Sequence, residues 1–268
     1  MALGKWKKSL GLNVINSLEV KRMSDFSELP EYTRDTYPSF GKKYNNEIGV
    51  ISLTSWTARI NTVAKTLFSL VQQCPNFHIV LVLAEEEFPK MTAELPENLM
   101  LFVENELIEL MFVRKNYRSF KKILFTMDKY RDVPVISADD DCIYKYNYAE
   151  EFYNTWNKNK DCVISFQNSK RFSIDTTWGC ATLYPPNYFK DFGIKYLTND
   201  IIKIGLDDNY YIVLRKLFGM FKTKYVNKNA RKFIKFHNEN SPISINIHKN
   251  NYHDNCYSIY ERLIKHEL

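Results

Sequence analysis

Three adjacent carboxylates, Asp139-Asp140-Asp141, are the densest chemistry in the chain. They follow Val133-Pro134-Val135-Ile136-Ser137-Ala138, an apolar or small run without alternation. Such a run suits a strand covered on both faces. The carboxylates then lie at the carboxyl end of that strand, where ligands bind in open α/β sheets. Three neighbouring aspartates repel one another, so the pattern calls for a cation. A hard divalent ion shared between protein carboxylates and substrate phosphates meets that need. A solvated acidic turn is the plainer alternative. A second acidic pair, Asp207-Asp208, opens another apolar-periodic stretch. By residue type alone, aspartate there is a helix N-cap.

Other residue types add to this. Arg59 carries a fork of donors that can meet a phosphate, or it is a surface charge beside a helix. Lys121 and Lys122 are neighbours on an expected helix and must point in different directions. One of them can face a pocket, and Lys121 is the expected one. Trp178 beside Gly179 offers an apolar platform, or a core ring.

The elements that would position these groups follow the chain. Ile48–Leu53 reads as a first strand, Val63–Gln73 as an amphipathic helix and Phe77–Leu83 as a second strand. This βαβ order makes the two strands parallel. Glu85, Glu86 and Glu87 read as a solvated loop, and Pro89 and Pro96 frame a polar connection. Leu107–Val113 is a third strand and Tyr117–Tyr130 a helix, so the strand bearing the aspartates comes fourth. Beyond it lie a helix at Ala149–Asn157, a strand at Cys162–Phe166, a helix at Asp207–Leu217 and a last helix near Cys256–Lys265. Residues 1–45 read as a lead-in, with Leu3, Trp6, Leu10 and Val14 at helical spacing. The expected organisation is that lead-in followed by one α/β domain over 46–268, with an irregular carboxyl-terminal third.

Composition bounds the function. The 268 residues are 45% hydrophobic and 25% charged, ordinary for a globular chain. The net charge of +6 favours an anionic ligand or an anionic membrane surface. No zinc-finger spacing, RNP-like aromatic motif or long basic stripe points to nucleic acid. Five cysteines without a CxxC pair indicate a reducing compartment rather than a disulfide framework or a zinc site. No run approaches ~18 consecutive apolar residues, and no apolar segment follows Lys5, Lys7 and Lys8. A cytoplasmic location is expected, with the basic, Trp6-bearing start able to touch the inner membrane surface.

Five blocks in order carry a resemblance. Leu53-Thr54-Ser55-Trp56 with Arg59-Ile60, Ser119-Phe120-Lys121-Lys122, Ser137-Ala138-Asp139-Asp140-Asp141, Leu183-Tyr184-Pro185-Pro186 and Leu206-Asp207-Asp208 resemble small bacterial glycosyltransferases of the GT-A fold. Those enzymes work in capsule, lipopolysaccharide or glycan assembly. Asn251 to Asp254 matches a terminal block loosely, and Gly179-Cys180-Ala181 stands where the family often has paired glycines. The resemblance implies a Rossmann-like, mostly parallel sheet and a nucleotide-sugar donor, UDP-linked by expectation, with a glycan or lipid-linked glycan acceptor. It makes the aspartate triad a DXD motif. Asp141, with Asp139, then takes Mn²⁺ or Mg²⁺, and Asp139 also borders the ribose. It sets Thr54, Ser55, Arg59, Lys121 and Asp140 around the nucleotide and Trp178 and Gly179 on the acceptor side. It makes Asp208, with Asp207, the general base of an inverting transfer. It also raises His248 and His253 as late metal ligands. Two other readings stay open: a sugar-phosphate nucleotidyltransferase, and a non-catalytic carbohydrate-binding protein on the same fold.

Overall fold

The computed structural model describes residues 37–73, 76–166, 170–171, 174–175, 177, 179–189, 192–226, 232–237 and 252–267. Residues 32–268 form one compact unit. The expected amino-terminal helix, Trp178 and His248 lie outside the described residues, as do the side chains of His253 and Asp254.

One sheet of eight strands organises this unit. Its core is β2 (Gly49–Thr54), β3 (Phe77–Ala84) and β4 (Glu109–Val113), which run parallel, with β5 (Val135–Ser137) parallel to β2 on the other side. The expected βαβ unit is present, with helix α1 (Val63–Val71) between β2 and β3. β3 is Phe-His-Ile-Val-Leu-Val-Leu-Ala and is buried throughout. Its alternate residues divide between two cores: Ile79, Leu81 and Leu83 face one layer, and Val80, Val82 and Ala84 the other. That division explains a strand without alternation, because side chains of period two meet apolar cover on both faces. On the first face lie α1, α2 (Glu97–Glu104) and α4 (Tyr148–Asn157). The second holds α3 (Lys121–Lys129), α7 (Asp207–Leu217) and α8 (Tyr252–Glu267). The architecture is a three-layer α/β fold with a mostly parallel sheet, as the sequence implies.

Several elements differ from expectation. Ser39–Gly41, inside the expected lead-in, is an edge strand, β1, antiparallel to β4. An unexpected helix, α2, follows the connection framed by Pro89 and Pro96; its Leu99 and Val103 lie four apart and both turn inward. The stretch after Thr177 supplies β10 (Thr182–Tyr184), which inserts antiparallel between β5 and β7 (Val163–Ser165). β11 (Thr223–Tyr225) then closes the far edge. β6 (Cys142–Tyr144) pairs with β12 (Ile234–Phe236) beside the main sheet. No described helix is long and apolar enough to cross a membrane.

A buried charge marks the amino ends of the parallel strands. Glu109 opens β4 at 2% exposure and accepts from His78 Nε2 at 2.7 Å, from Lys129 Nζ at 2.5 Å and from the Tyr130 hydroxyl. Burial pushes its pKa up, but the bond from His78, the charge of Lys129 and the bond from Tyr130 outweigh this and hold it at about 2. A carboxyl whose folded pKa lies below its unfolded one contributes stability above the unfolded value, and that stability is lost as pH falls towards the folded value. Glu109→Gln is therefore expected to cost about 3 kcal/mol at neutral pH. The gap to wild type should close between about pH 4.5 and 2. Urea midpoints of both proteins across that range check it. A gap independent of pH would show that the Glu109 charge does not contribute.

Candidate active site

Ser52 in β2 fixes the helix that carries the lysines. Its hydroxyl donates to the Lys122 carbonyl and lies 2.7 Å from Thr126 Oγ1. These polar ties hold the first turns of α3 over β2 and aim Lys122 at the carboxyl edge of the sheet. Lys122 Nζ lies 2.6 Å from Asp139 Oδ1 and 3.4 Å from Asp207 Oδ2. One ammonium thus bridges two acidic motifs that are 68 residues apart in the chain (207 minus 139). Burial works against its charge, yet Asp139, Asp207 and Asp208 more than reverse that and hold its pKa well above the usual lysine value. Lys121, expected to face this pocket, instead turns away to Glu87 at 3.3 Å and Asn116 at 3.4 Å. Burial lowers its pKa. Glu87 is accordingly the counter-ion of a buried lysine, not part of a solvated loop.

The other half of the cluster is built by Arg59. Its Nη2 lies 2.8 Å from Asp140 Oδ1 and its Nη1 2.7 Å from Asp141 Oδ2. Ser55 Oγ donates to Asp140 Oδ2 at 2.6 Å. Asp140 is 1% exposed and points inward, so it anchors the turn. Burial raises its pKa to about 6, with Arg59 and Ser55 pulling the other way. Burial and Asp139 also raise Asp141. Thr54 Oγ1 donates to Val82 O at 2.7 Å, which ties β2 to β3 rather than opening towards the aspartates. The cation that three aspartates demand is thus supplied from within the chain, by Arg59 and Lys122.

Two further groups complete the turn. Thr66 Oγ1 in α1 reaches the carbonyls of Asp140 and Cys142 at 2.9 and 2.8 Å, and the ring of His237 at 3.1 Å. The His237 N–H donates to Asp141 O at 2.9 Å, so this late histidine stands beside the triad. The sequence reading named His248 and His253 and overlooked His237. Its signal was only its place one residue past a short strand. Tyr144 Oη accepts from the Asp139 N–H at 2.8 Å and lies 3.1 Å from Cys180 O, while Tyr148 Oη spans Ser137 O and Cys180 O. The segment at Gly179 and Cys180 is thereby tied to the aspartate turn.

Asp207 and Asp208 occupy the first turn of α7, which follows Gly205 in the left-handed region at φ 84°. The N-cap is Leu206, and it makes no side-chain cap bond. Neither aspartate is the expected N-cap residue. Asp208 packs against Gly179: a Cβ there would come within 3.0 and 3.1 Å of its two carboxylate oxygens. Gly179 therefore serves close backbone approach to Asp208. Burial, then the neighbouring Asp207, push the Asp208 pKa well above the carboxylate range, while Lys122 and the Gly179 N–H oppose them. The chain thus holds a buried carboxyl of raised pKa beside a cation-bridged acidic turn.

No protein-family model matches the sequence, and no characterised protein matches it by sequence. By structure it is similar to several solved chains. Residues 1–349 of TarS from S. aureus are 12% identical over 69% of this chain and 59% of that one, with a TM-score of 0.46. The mannosyltransferase PcManGT from Pyrobaculum calidifontis, solved with GDP-Man and Mn²⁺, is 12% identical over 74% and 58%, with a TM-score of 0.48. The apo-form glycosyltransferase GlyE of Streptococcus pneumoniae TIGR4 is 12% identical over 66% and 44%, with a TM-score of 0.37. This chain spans less than two thirds of each of them.

The triad bears on metal binding in a particular way. Among the described residues no group of three or more acidic, histidine or cysteine side chains is arranged to hold an ion. Asp139 uses Oδ1 for Lys122, and Asp141 uses Oδ2 for Arg59. Among the described residues, Asp139 Oδ2 has no bond and Asp141 Oδ1 has only the weak Cys142 thiol at 3.6 Å. Two carboxylate oxygens thus remain. That suits an ion held by one or two carboxylates and completed by substrate phosphates, and it does not suit a closed protein cage.

Proposed function

We propose that the chain is a glycosyltransferase that moves a sugar from a nucleotide-sugar donor, UDP-linked, to a hydroxyl of a glycan or lipid-linked glycan, with inversion. The Lys122 bridge is the observation that carries this reading. It gathers Asp139 of the triad and the Asp207-Asp208 pair into one cluster. Donor handling and proton removal need that adjacency. Asp141 and Asp139 would hold Mn²⁺ or Mg²⁺ together with the donor diphosphate, and the ion's chemistry there is to stabilise the charge that develops on the leaving group. Arg59 orients Asp141 and, through Asp140, fixes the turn. Asp208 takes the proton of the acceptor hydroxyl, its raised pKa matching a base poised nearer neutral pH. Lys122 opposes the burial that raises Asp208. The enzyme would work in the cytoplasm, with the basic start of the chain at the inner membrane face.

A thermal-shift screen of nucleotide sugars with and without Mn²⁺ or Mg²⁺ tests the reading. At a hundred times its Kd a bound donor adds about 2.7 kcal/mol of stability. One nucleotide class is expected to raise the melting temperature, more so with the divalent ion. Asp141→Asn should keep the fold, because Asn still accepts from Arg59, and should lose the divalent-dependent part of the shift. Absence of stabilisation by every nucleotide sugar would sink the assignment. A divalent-dependent shift that survives Asp141→Asn would remove that residue from the ion.

A further inference from the structure

The sheet has a second polar end. Across from the aspartates, at the amino ends of the parallel strands, lies a cavity of about 510 Å³. That is within the range of small-molecule sites, ~300–1,000 Å³. The six residues of β2 separate the two ends, roughly 20 Å at ~3.3 Å per residue. The cavity wall carries Lys42, Lys43, Lys129 and Arg131, with Tyr44 and Tyr130. The two tyrosine rings stand 5.1 Å apart at 49°, an amphipathic wall of the kind that packs on a ring ligand.

The charges select the ligand. Of its four cations, Lys42, Lys129 and Arg131 are held by Glu47, Glu109 and Asp128, which leaves Lys43 to meet a ligand, with Asp132 also on the wall. Glu109 is spent inside the fold on His78, Lys129 and Tyr130. Lys42 pairs with the buried Glu47 at 2.8 Å, and Arg131 pairs with Asp128. Lys43 is exposed and has no ion pair among the described residues. A polyphosphate would meet Asp132 at the rim as well as the lysines. A neutral polyol would leave Lys43 unanswered. A polyol with one anionic group answers Lys43, the tyrosine faces and the hydroxyl-accepting Asp132 together.

We propose that this cavity binds a small carbohydrate carrying one anionic group, a uronic acid or a sugar phosphate of one or two rings. The site is separate from the aspartate cluster, and the proposal does not depend on the function assigned there. The test is calorimetric titration of the full chain with glucuronate, glucose 1-phosphate, glucose and inorganic phosphate. Saturable binding of either charged sugar, with glucose and phosphate weaker, is expected. Which of the two binds tells a carboxylate source from a phosphate source. Lys43→Glu should weaken binding by about tenfold at an unchanged melting temperature, because it reverses one charge of an exposed residue. Asp132→Asn should tighten it. Excess UDP-glucose and Asp139→Asn should leave it unchanged. Failure of both charged sugars to bind would overturn the proposal. So would equal binding of inorganic phosphate alone, indifference to Lys43→Glu, or displacement by UDP-glucose.

Discussion

Asp208→Asn is expected to lower turnover by roughly 10²–10⁴-fold, the usual share of a general base, without lowering stability. The two halves of this expectation come from one fact. Burial and Asp207 raise the Asp208 pKa in the folded state. A carboxyl whose folded pKa is raised binds more protons when folded, so stability falls as pH climbs from its unfolded pKa through the folded one. With its pKa raised to about 8, this buried carboxyl already costs the fold stability at neutral pH, and asparagine removes that cost. A capping role would show the opposite: near-normal turnover in the Asn variant, because Asn caps about as well as Asp, and a loss of about 1 kcal/mol in Asp208→Ala. The N-cap position belongs to Leu206, which leaves capping without a geometric basis. The pH profile supplies a second check. kcat/KM should rise with pH, with its inflection above the ordinary carboxylate range, because only ionised Asp208 accepts a proton. Measurements of kcat, donor affinity and unfolding midpoint on the Asn variant decide the matter. Near-normal kcat would exclude Asp208 as the base and point to Asp207 or to a retaining mechanism.

The sheet core was legible because its strands are long and apolar on both faces. Phe77–Ala84 can hardly be anything else, and α1, with Val63, Leu67 and Leu70 on one face, announces its own packing. Apart from β5 and β7, the three-residue strands were not legible. β10 and β6 each owe their conformation to partners far along the chain, Ile136 for Leu183 and Phe236 for Cys142. Nothing local distinguishes them from loops. The same rule governs the site. The triad showed itself through its own mutual repulsion. What offsets it did not, because Arg59 and Lys122 come from other elements and only the fold shows where they point. Lys121 and Lys122 look equivalent in sequence. The hydroxyl of Ser52, 70 residues upstream, helps set which one reaches the aspartates.

Lys122→Met should then be the most damaging single change at the site. Methionine matches the length of the lysine stem and fills its volume, so the packing of α3 is kept while the charge is lost. The carboxylates of Asp139 and Asp207 would lose their shared cation, and removing one partner of a buried ion pair typically costs ~3–5 kcal/mol. Asp139 is a third exposed, and water can take up part of its charge, so the lower end of that range is expected. Catalysis should suffer in a recognisable way. With Lys122 gone, nothing on α3 opposes the burial that raises Asp208, so the kcat/KM inflection should move to higher pH as well as the plateau falling. A partner substitution separates electrostatics from packing. Asp207→Asn in the Lys122→Met background removes one of the stranded charges and should recover part of the lost stability, a coupling that a double-mutant cycle measures directly. A melting temperature unchanged by Lys122→Met, or stability losses that simply add in the double variant, would mean that the ammonium does not hold the two acidic motifs together.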